Sequence, residues 1–459
     1  MDPRVSYEPQ ITFDEKLKVW SGGDRSIYFA PHLSIGEIIF REMERHPKLI
    51  AQISATEKTV LTREEVHLNA MRVASYMRGL GLKQTDIVGL IARNTTHLVA
   101  VAYACFFNGM PFHSLNISYE QETIEKLFCI TRPRLIFCDR DEYETQHRRW
   151  LWDFDLRWRP RPRAGLEPVR NEESLLGRTQ GSLDYQQPTN SVELLYCHST
   201  LDWFSGLSMC IKCGVFSTTS IIADNKFDPG FLCRIIEEYK VTFLVQSPAQ
   251  MAMLVGCPEF ESVDLSSIRR CVYGGTACSV EVQHRMRSRL QQADCLVFSY
   301  NLTEMNSLGC LNHHFDEKPN SVGRPVGGIK VKITNESGDA LGPSAMGEVC
   351  FHIGQHWSGY YGNPEETRTM IDSQRWLHTG DLGYMDPDGF LYLVDRKKDM
   401  LKYQSIMYYP SEVERVISQM PNVAEVCVFG LWDAINGDEA AAAVVKKPGT
   451  QLSSRPKML

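Results

Sequence analysis

From Gly214 to Tyr300 the chain alternates strand-length apolar runs with amphipathic helical segments, and few folds accommodate that pattern. The run VFSTTSIIA predicts a strand, and the next segment places Phe231, Leu232, Ile235, Ile236 and Tyr239 on one helical face. A strand at TFLVQ, a helix opened by Pro248, a strand at RRCVYGG, a helix from Ser279 and a strand at CLVFSY complete the series. Successive strand–helix–strand units build a parallel sheet with right-handed crossovers.

The flanking segments extend this reading. Ile35, Ile38, Ile39 and Met43 share one helical face, and Thr62 with Glu65 forms a capping box ahead of a helix through Val66, Val73 and Met77. The runs IVGLIA and RLIFCD read as buried strands. From Gly347 to Leu393 short strands alternate with Gly, Pro and Asp turns, the pattern of a small β-rich subdomain. After Lys398 a helix from Pro410 and the strands VAEVCVFG and AAAAVVKK follow. The expected fold class is α/β: a large N-terminal domain of parallel-sheet βαβ units (residues 30–395) with a small β-rich subdomain, then a truncated α+β C-terminal domain (396–459).

Size and composition narrow the classes of function. A chain of 459 residues calls for two or three domains, and 43% apolar with 23% charged residues is an ordinary globular balance. A net charge of −7 gives no electrostatic case for nucleic acid or an anionic membrane as partner. The fourteen cysteines are mostly single, and Cys210-Ile-Lys-Cys213 has no second pair at zinc-site spacing, so reduced thiols are expected. The opening MDPRVSYEPQ lacks an apolar signal core and no window reaches eighteen apolar residues, so neither secretion nor a membrane span is expected. His147–Arg163 departs from all of this, with six Arg and three Trp in seventeen residues. It reads as an atypical insertion or as a basic-aromatic surface able to stack single-stranded RNA.

Several motifs carry candidate chemistry. Gly274 and Gly275, in YGGTA at a strand end, would let a flat ring approach the backbone; a plain strand–helix turn uses the same residues. In SYNLTE, Tyr300 offers a ring to a base, Thr303 a hydroxyl to a phosphate and Glu304 a hard oxygen for Mg²⁺. The alternative there is a helix start capped by Thr303. GEVCFH and SGYYGNPEET read as structural, a strand and then a turn opening a helix. In WLHTGD, Asp381 sits in a Gly-flanked turn where its carboxylate reaches both hydroxyls of a ribose; an ordinary turn Asp is the alternative. Arg396 begins a basic run that reads as an interdomain hinge or as solvated charge.

In this order and spacing, YGGTA, YNLTE, GEVCFH…SGYYGNPEET, WLHTGD and LVDRKKDMLKY resemble the adenylate-forming enzymes, in their acyl-CoA synthetase, 4-coumarate–CoA ligase and luciferase branch. The resemblance spans roughly Ala30–Asp139 and Ser191–Lys447. It implies a carboxylic-acid substrate, ATP/AMP, Mg²⁺ and CoA: the acid attacks the α-phosphate to give an acyl-adenylate, and CoA then displaces AMP. It implies adenine near Gly274, Gly275 and Tyr300, phosphate and Mg²⁺ at Thr303 and Glu304, and ribose at Asp381 with Arg396 beside it. Lys402 would serve thioester formation, and His198 in CHSTLDW could border the acyl pocket or simply be packed.

The resemblance also has gaps. The family's Ser/Thr/Gly-rich loop ending in Pro-Lys-Gly, whose amides and Lys cradle polyphosphate, is absent: DYQQP passes almost directly to LLYCHS. An internal deletion near residues 190–191 is expected, removing a strand and a helix with the loop and exposing apolar edges. The C-terminal domain is expected to be cut short, without its adenylation Lys. Asn301 and Ser405 stand where the family carries Gly. The chain is therefore expected to be a ligase-family member impaired in adenylation, the alternative being a non-catalytic nucleotide- or acyl-binding protein. The peroxisome is expected from the resemblance, although Lys457-Met458-Leu459 does not fit its C-terminal signal; the cytoplasm is the alternative.

Overall fold

The computed structural model describes residues 11–24, 28–30, 32–139, 193–216, 218–403, 406–433, 437–447 and 449–450. His147–Arg163, the junction at 190–191 and Ser405 lie outside them.

The predicted parallel sheet forms. Nine strands run in the spatial order Arg324–Pro325, Cys310–Asn312, Leu296–Tyr300, Arg270–Gly274, Phe243–Gln246, Glu193–Cys197, Thr218–Ile222, Ile50–Ser54, Val60–Thr62. The six from Leu296–Tyr300 to Ile50–Ser54 are parallel, and antiparallel strands flank them on both sides. Glu193–Cys197 is central and paired on both sides, with Leu195 opposite Phe243 and Ser220. The sheet is thus continuous across Glu193–Cys197, the first described strand after the junction at 190–191. Helices Pro229–Tyr239, Pro248–Gly256 and Val280–Arg289 supply the crossovers, and Ser247 and Ser279 cap two of them. Thr62 and Glu65 form the expected reciprocal capping box.

One boundary differs from expectation. The strand expected from Val215 begins at Thr218, because helix Phe204–Val215 runs on through Cys210, Cys213 and Gly214. That helix buries Gly206, Ser208, Met209, Ile211, Lys212, Cys213, Gly214 and Val215, covering most of its circumference, so its sequence carries no amphipathic period. Lys212 and Glu193 pair inside the core, 3.0 Å apart and 4% and 2% exposed, with the Thr218 hydroxyl donating to Glu193 at 3.0 Å. The Lys212 ammonium also lies 5.3 Å from the centre of the Phe243 ring.

A smaller parallel sheet of Phe112–Leu115, Val88–Ile91 and Leu135–Cys138 accounts for the expected strands IVGLIA and RLIFCD. The β-rich subdomain is a seven-stranded antiparallel sheet. Its path runs Thr12–Asp14, Val19–Ser21, Lys330–Thr334, Gly347–His352, Leu377–Met385, Leu391–Arg396, and Ala340–Leu341 pairs beside it. Its first two strands come from the start of the described chain: Trp20 is 1% exposed, stacks on Phe13 and sits opposite Val331. After Arg396 a four-stranded sheet and helix Pro410–Ser418 form the last unit. Among the described residues no helix is long and apolar enough to cross a membrane.

Candidate nucleotide site

The candidate residues converge where the nine-stranded sheet meets the β-rich sheet. Tyr300 ends a parallel strand, and its hydroxyl donates to Asp381 Oδ2 on the antiparallel strand Leu377–Met385. Both residues are buried, and the Tyr300 ring packs 5.7 Å from Phe351 in the shared core. The ring expected to meet a base is thus covered by protein, and its hydroxyl orients a carboxylate.

Strand pairing places Arg396 directly opposite Asp381, with Nε 3.5 Å from Oδ1. Asp381 lies inside strand Leu377–Met385 rather than in the expected turn, where the register with Gly347–His352 shifts between Glu348 and Cys350. Gly380 adopts φ +70°, a left-handed conformation natural to glycine, and the Thr379 hydroxyl donates to Val349 O at 2.8 Å while accepting the Asp381 N–H at 3.0 Å. Burial raises the Asp381 pKa above its ordinary value, opposed by the Tyr300 hydrogen bond and the Arg396 charge. Burial, then the neighbouring Asp381 charge, raises that of Tyr300 further above its normal range. A buried carboxylate with one oxygen on a phenol and one near a guanidinium retains lone pairs for two vicinal hydroxyls.

The two glycines prove unequal. A Cβ on Gly274 would sit 2.1 Å from the Ser299 carbonyl, so this glycine is required by the approach of the neighbouring strand. Gly275, at φ +99°, has nothing within 4 Å of its missing Cβ and is the one facing open room. Thr303 is exposed in the short 3-10 turn Thr303–Met305, where Leu302 rather than a Thr side chain holds the cap position. Glu304 accepts a hydrogen bond from the Tyr360 hydroxyl. Sequence reasoning assigned Tyr360 to a structural turn, and a partner 56 positions away leaves no local signal. A Mg²⁺ arriving with a triphosphate would find oxygen donors in Thr303 and Glu304. No cluster of three or more His, Cys, Asp or Glu side chains that could hold a metal occurs among the described residues.

Lys402 lies apart from this cluster, exposed on strand Leu401–Tyr403 of the last sheet, its backbone N–H on Asp438 Oδ2 at 3.0 Å. His198 is packed: its ring meets the Tyr196 hydroxyl at 3.2 Å and stands edge-on to Phe227, and burial lowers its pKa. Cys213 is buried and Cys210 partly buried, and desolvation holds both thiols high, Cys210 at about 12. Cys350, His378 and Asp372 line up like a nucleophilic triad, with Cys350 Sγ 3.5 Å from His378 Nδ1 and His378 Nε2 3.6 Å from Asp372 Oδ2. Cys350 is fully buried and its pKa is pushed up to about 11, which removes it as a nucleophile.

A pocket of about 660 Å³ of free space, counting its open mouth, lies between the first helices and the parallel sheet, bordered by Gln52, Asn94, Leu195, Cys197, Met209 and Cys213. None of the candidate nucleotide residues borders it.

Comparison with known proteins identifies the family. Residues 39–157 and 174–361 match the AMP-binding enzyme model, and residues 412–458 match the AMP-binding enzyme C-terminal domain. The 4-coumarate–CoA ligase CCL1 of Humulus lupulus is 24% identical over 93% of this chain and 87% of its own length. A luciferin 4-monooxygenase of Nipponoluciola cruciata is 31% identical over 52% of this chain and 43% of its own. The amide bond synthetase McbA of Marinactinospora thermotolerans shares the fold with a TM-score of 0.77 at 21% identity, covering 91% of this chain and 90% of that one. The anthranilate CoA ligase AuaEII, solved with anthranoyl-AMP, does so at 0.78 and 19%, covering 93% and 89%. With more than half its length on the first model, the chain belongs to the AMP-binding enzyme family.

Proposed function

We propose that this protein derives from an acyl- or aryl-CoA ligase, which activates a fatty or aromatic carboxylic acid with ATP through an acyl-adenylate and passes the acyl group to CoA. The observation carrying this reading is the buried Asp381 carboxylate, held by the Tyr300 hydroxyl and faced by Arg396. The carboxylate binds the ribose hydroxyls, and Gly275 leaves room beside it for the base. Thr303 and Glu304 contact phosphate and its Mg²⁺, and Lys402 acts in thioester formation.

Adenylation by this chain is weak in the same reading. What supports that is the absence of the Ser/Thr/Gly-rich loop and its Pro-Lys-Gly from the sequence. Loss of one group that stabilises transition-state charge costs about 10²- to 10³-fold in rate. The alternative, a protein that binds nucleotide without chemistry, rests on the same absence together with the intact Asp381 cluster. Pyrophosphate release with medium-chain, long-chain and cinnamate acids separates the readings. Turnover at the rate of an ordinary ligase would sink the impairment. No turnover, with AMP binding that Asp381→Ala abolishes, selects the binding protein. Absence of AMP binding removes both. The peroxisome belongs to this reading through family alone, and imaging of the tagged full chain tests it.

A further inference from the structure

The segment after strand Leu391–Arg396, read as a hinge from its basic run, is braced in two directions. Asp395, on the strand side, accepts the Ser411 hydroxyl at 2.6 Å and the Ser411 N–H at 3.3 Å, reaching forward to helix Pro410–Ser418. Lys397, on the far side, reaches back to Glu348 Oε2 on strand Gly347–His352, at 3.4 Å. Glu348 does a second thing. Its Oε1 accepts the Gly380 N–H at 3.3 Å, next to Asp381 in strand Leu377–Met385. Its Oε2 also lies 3.5 Å from His378 Nδ1. The Glu348 side chain is 15% exposed and Lys397 is 54% exposed, so the carboxylate is the fixed partner and the ammonium the releasable one.

The geometry points to Glu348 as a positioning residue that ties the strand carrying Asp381 to the hinge: one oxygen sets the Gly380 amide, the other restrains Lys397. Any rotation of the last unit about residues 395–398 must separate Lys397 from Glu348, while the Gly380 contact lies wholly within the β-rich sheet and survives. The two oxygens therefore act on different events, and substitutions separate them. Glu348→Gln keeps an acceptor for Gly380 and removes the ion pair; Lys397→Met removes only the pair; Glu348→Ala removes both contacts. The effect on Asp381 rests on the nucleotide reading above, whereas the brace does not.

The test is hydrogen exchange of the amides of residues 396–403 in the full chain, with AMP affinity measured by calorimetry in parallel. Glu348→Gln and Lys397→Met should each speed exchange there by about two- to five-fold, the range expected for a part-exposed ion pair. The double variant should add little to either, and Lys397→Arg should restore protection. Raising salt to half molar should bring the wild type toward the variants. AMP affinity should hold within two-fold in Lys397→Met and fall at least five-fold in Glu348→Ala. Unchanged exchange in both ion-pair variants overturns the brace, and wild-type AMP affinity in Glu348→Ala overturns the positioning of Asp381. Wild-type protein that fails to bind AMP refutes the nucleotide reading and leaves the exchange result to decide the brace. If Glu348→Ala does not fold, Glu348→Leu, which keeps the bulk of the side chain without either oxygen, carries the AMP test, and Glu348→Gln with Lys397→Met carries the exchange test.

Discussion

Tyr300→Phe removes one atom and isolates the property on which the candidate site depends. The ring stays packed on Phe351, so the core keeps its shape, but Asp381 loses the phenol that donates to it in a buried setting. A hydrogen bond to a charged group contributes about 1.5–3 kcal/mol, and the lower end applies because a water can enter the vacated space. That corresponds to roughly ten-fold weaker binding of a ligand that needs the ionised carboxylate. The pH dependence supplies the sharper test. Burial already raises the Asp381 pKa, so the folded state holds this proton longer than the unfolded chain does. Its contribution to stability therefore falls as pH rises from the ordinary carboxylate value through the raised one. AMP binding runs the other way, increasing as pH rises through the raised value and the carboxylate ionises. Removing the phenol raises that value further, so the midpoint of the AMP affinity profile should move to higher pH. Calorimetric titrations of wild type and variant across pH 4 to 8 measure both effects. Affinity within two-fold of wild type and an unmoved midpoint would refute the reasoning, provided Asp381→Ala shows that the carboxylate binds AMP.

Three further outcomes are expected. Lys212→Met strands the buried Glu193 carboxylate and should cost about 3–5 kcal/mol, seen as a lower melting temperature. Adding Glu193→Gln, which keeps an acceptor for Thr218, should recover most of it; equal losses in single and double variants would show that the pair has no such role. Gly274→Ala should lower both thermal stability and AMP affinity, because its Cβ drives apart the strands ending in Gly274 and Tyr300; Gly275→Ala should cost only about 1–2 kcal/mol of backbone strain. Tyr360→Phe frees the Glu304 carboxylate and should change the magnesium dependence of ATP binding while leaving AMP affinity within two-fold.

Local chemistry was legible in the sequence, and long-range geometry was not. The capping box at Thr62 and Glu65 and the face of Ile35, Ile38, Ile39 and Met43 follow from spacing alone, and the structure holds them as read. Helix Phe204–Val215 gave no period because it is buried on most sides, so its last residues read as the start of the next strand. The candidate site divides the same way. Asp381 and Gly275 stood out through turn chemistry. The partners that set their surroundings come from far along the chain: Tyr300 is 81 positions from Asp381, and Glu348 is 32 from Gly380. Tyr300 was identified for its ring, whereas the fold uses its hydroxyl, because the neighbours that bury a ring are invisible until the sheets pack.

Trp20 has a consequence for how the molecule is made. It completes the sheet that carries Asp381 by docking a strand from the start of the described chain beside Lys330–Thr334, more than 300 residues later. At a synthesis rate of about 5–20 residues per second, that partner emerges roughly 15–60 s after Trp20 does. Throughout that interval a large apolar side chain and a bare strand edge wait on the ribosome while the parallel sheet between them assembles. Maturation of the candidate nucleotide site is in this sense a late event in biogenesis, and shielding of the nascent strand around Trp20 should raise the yield of folded protein.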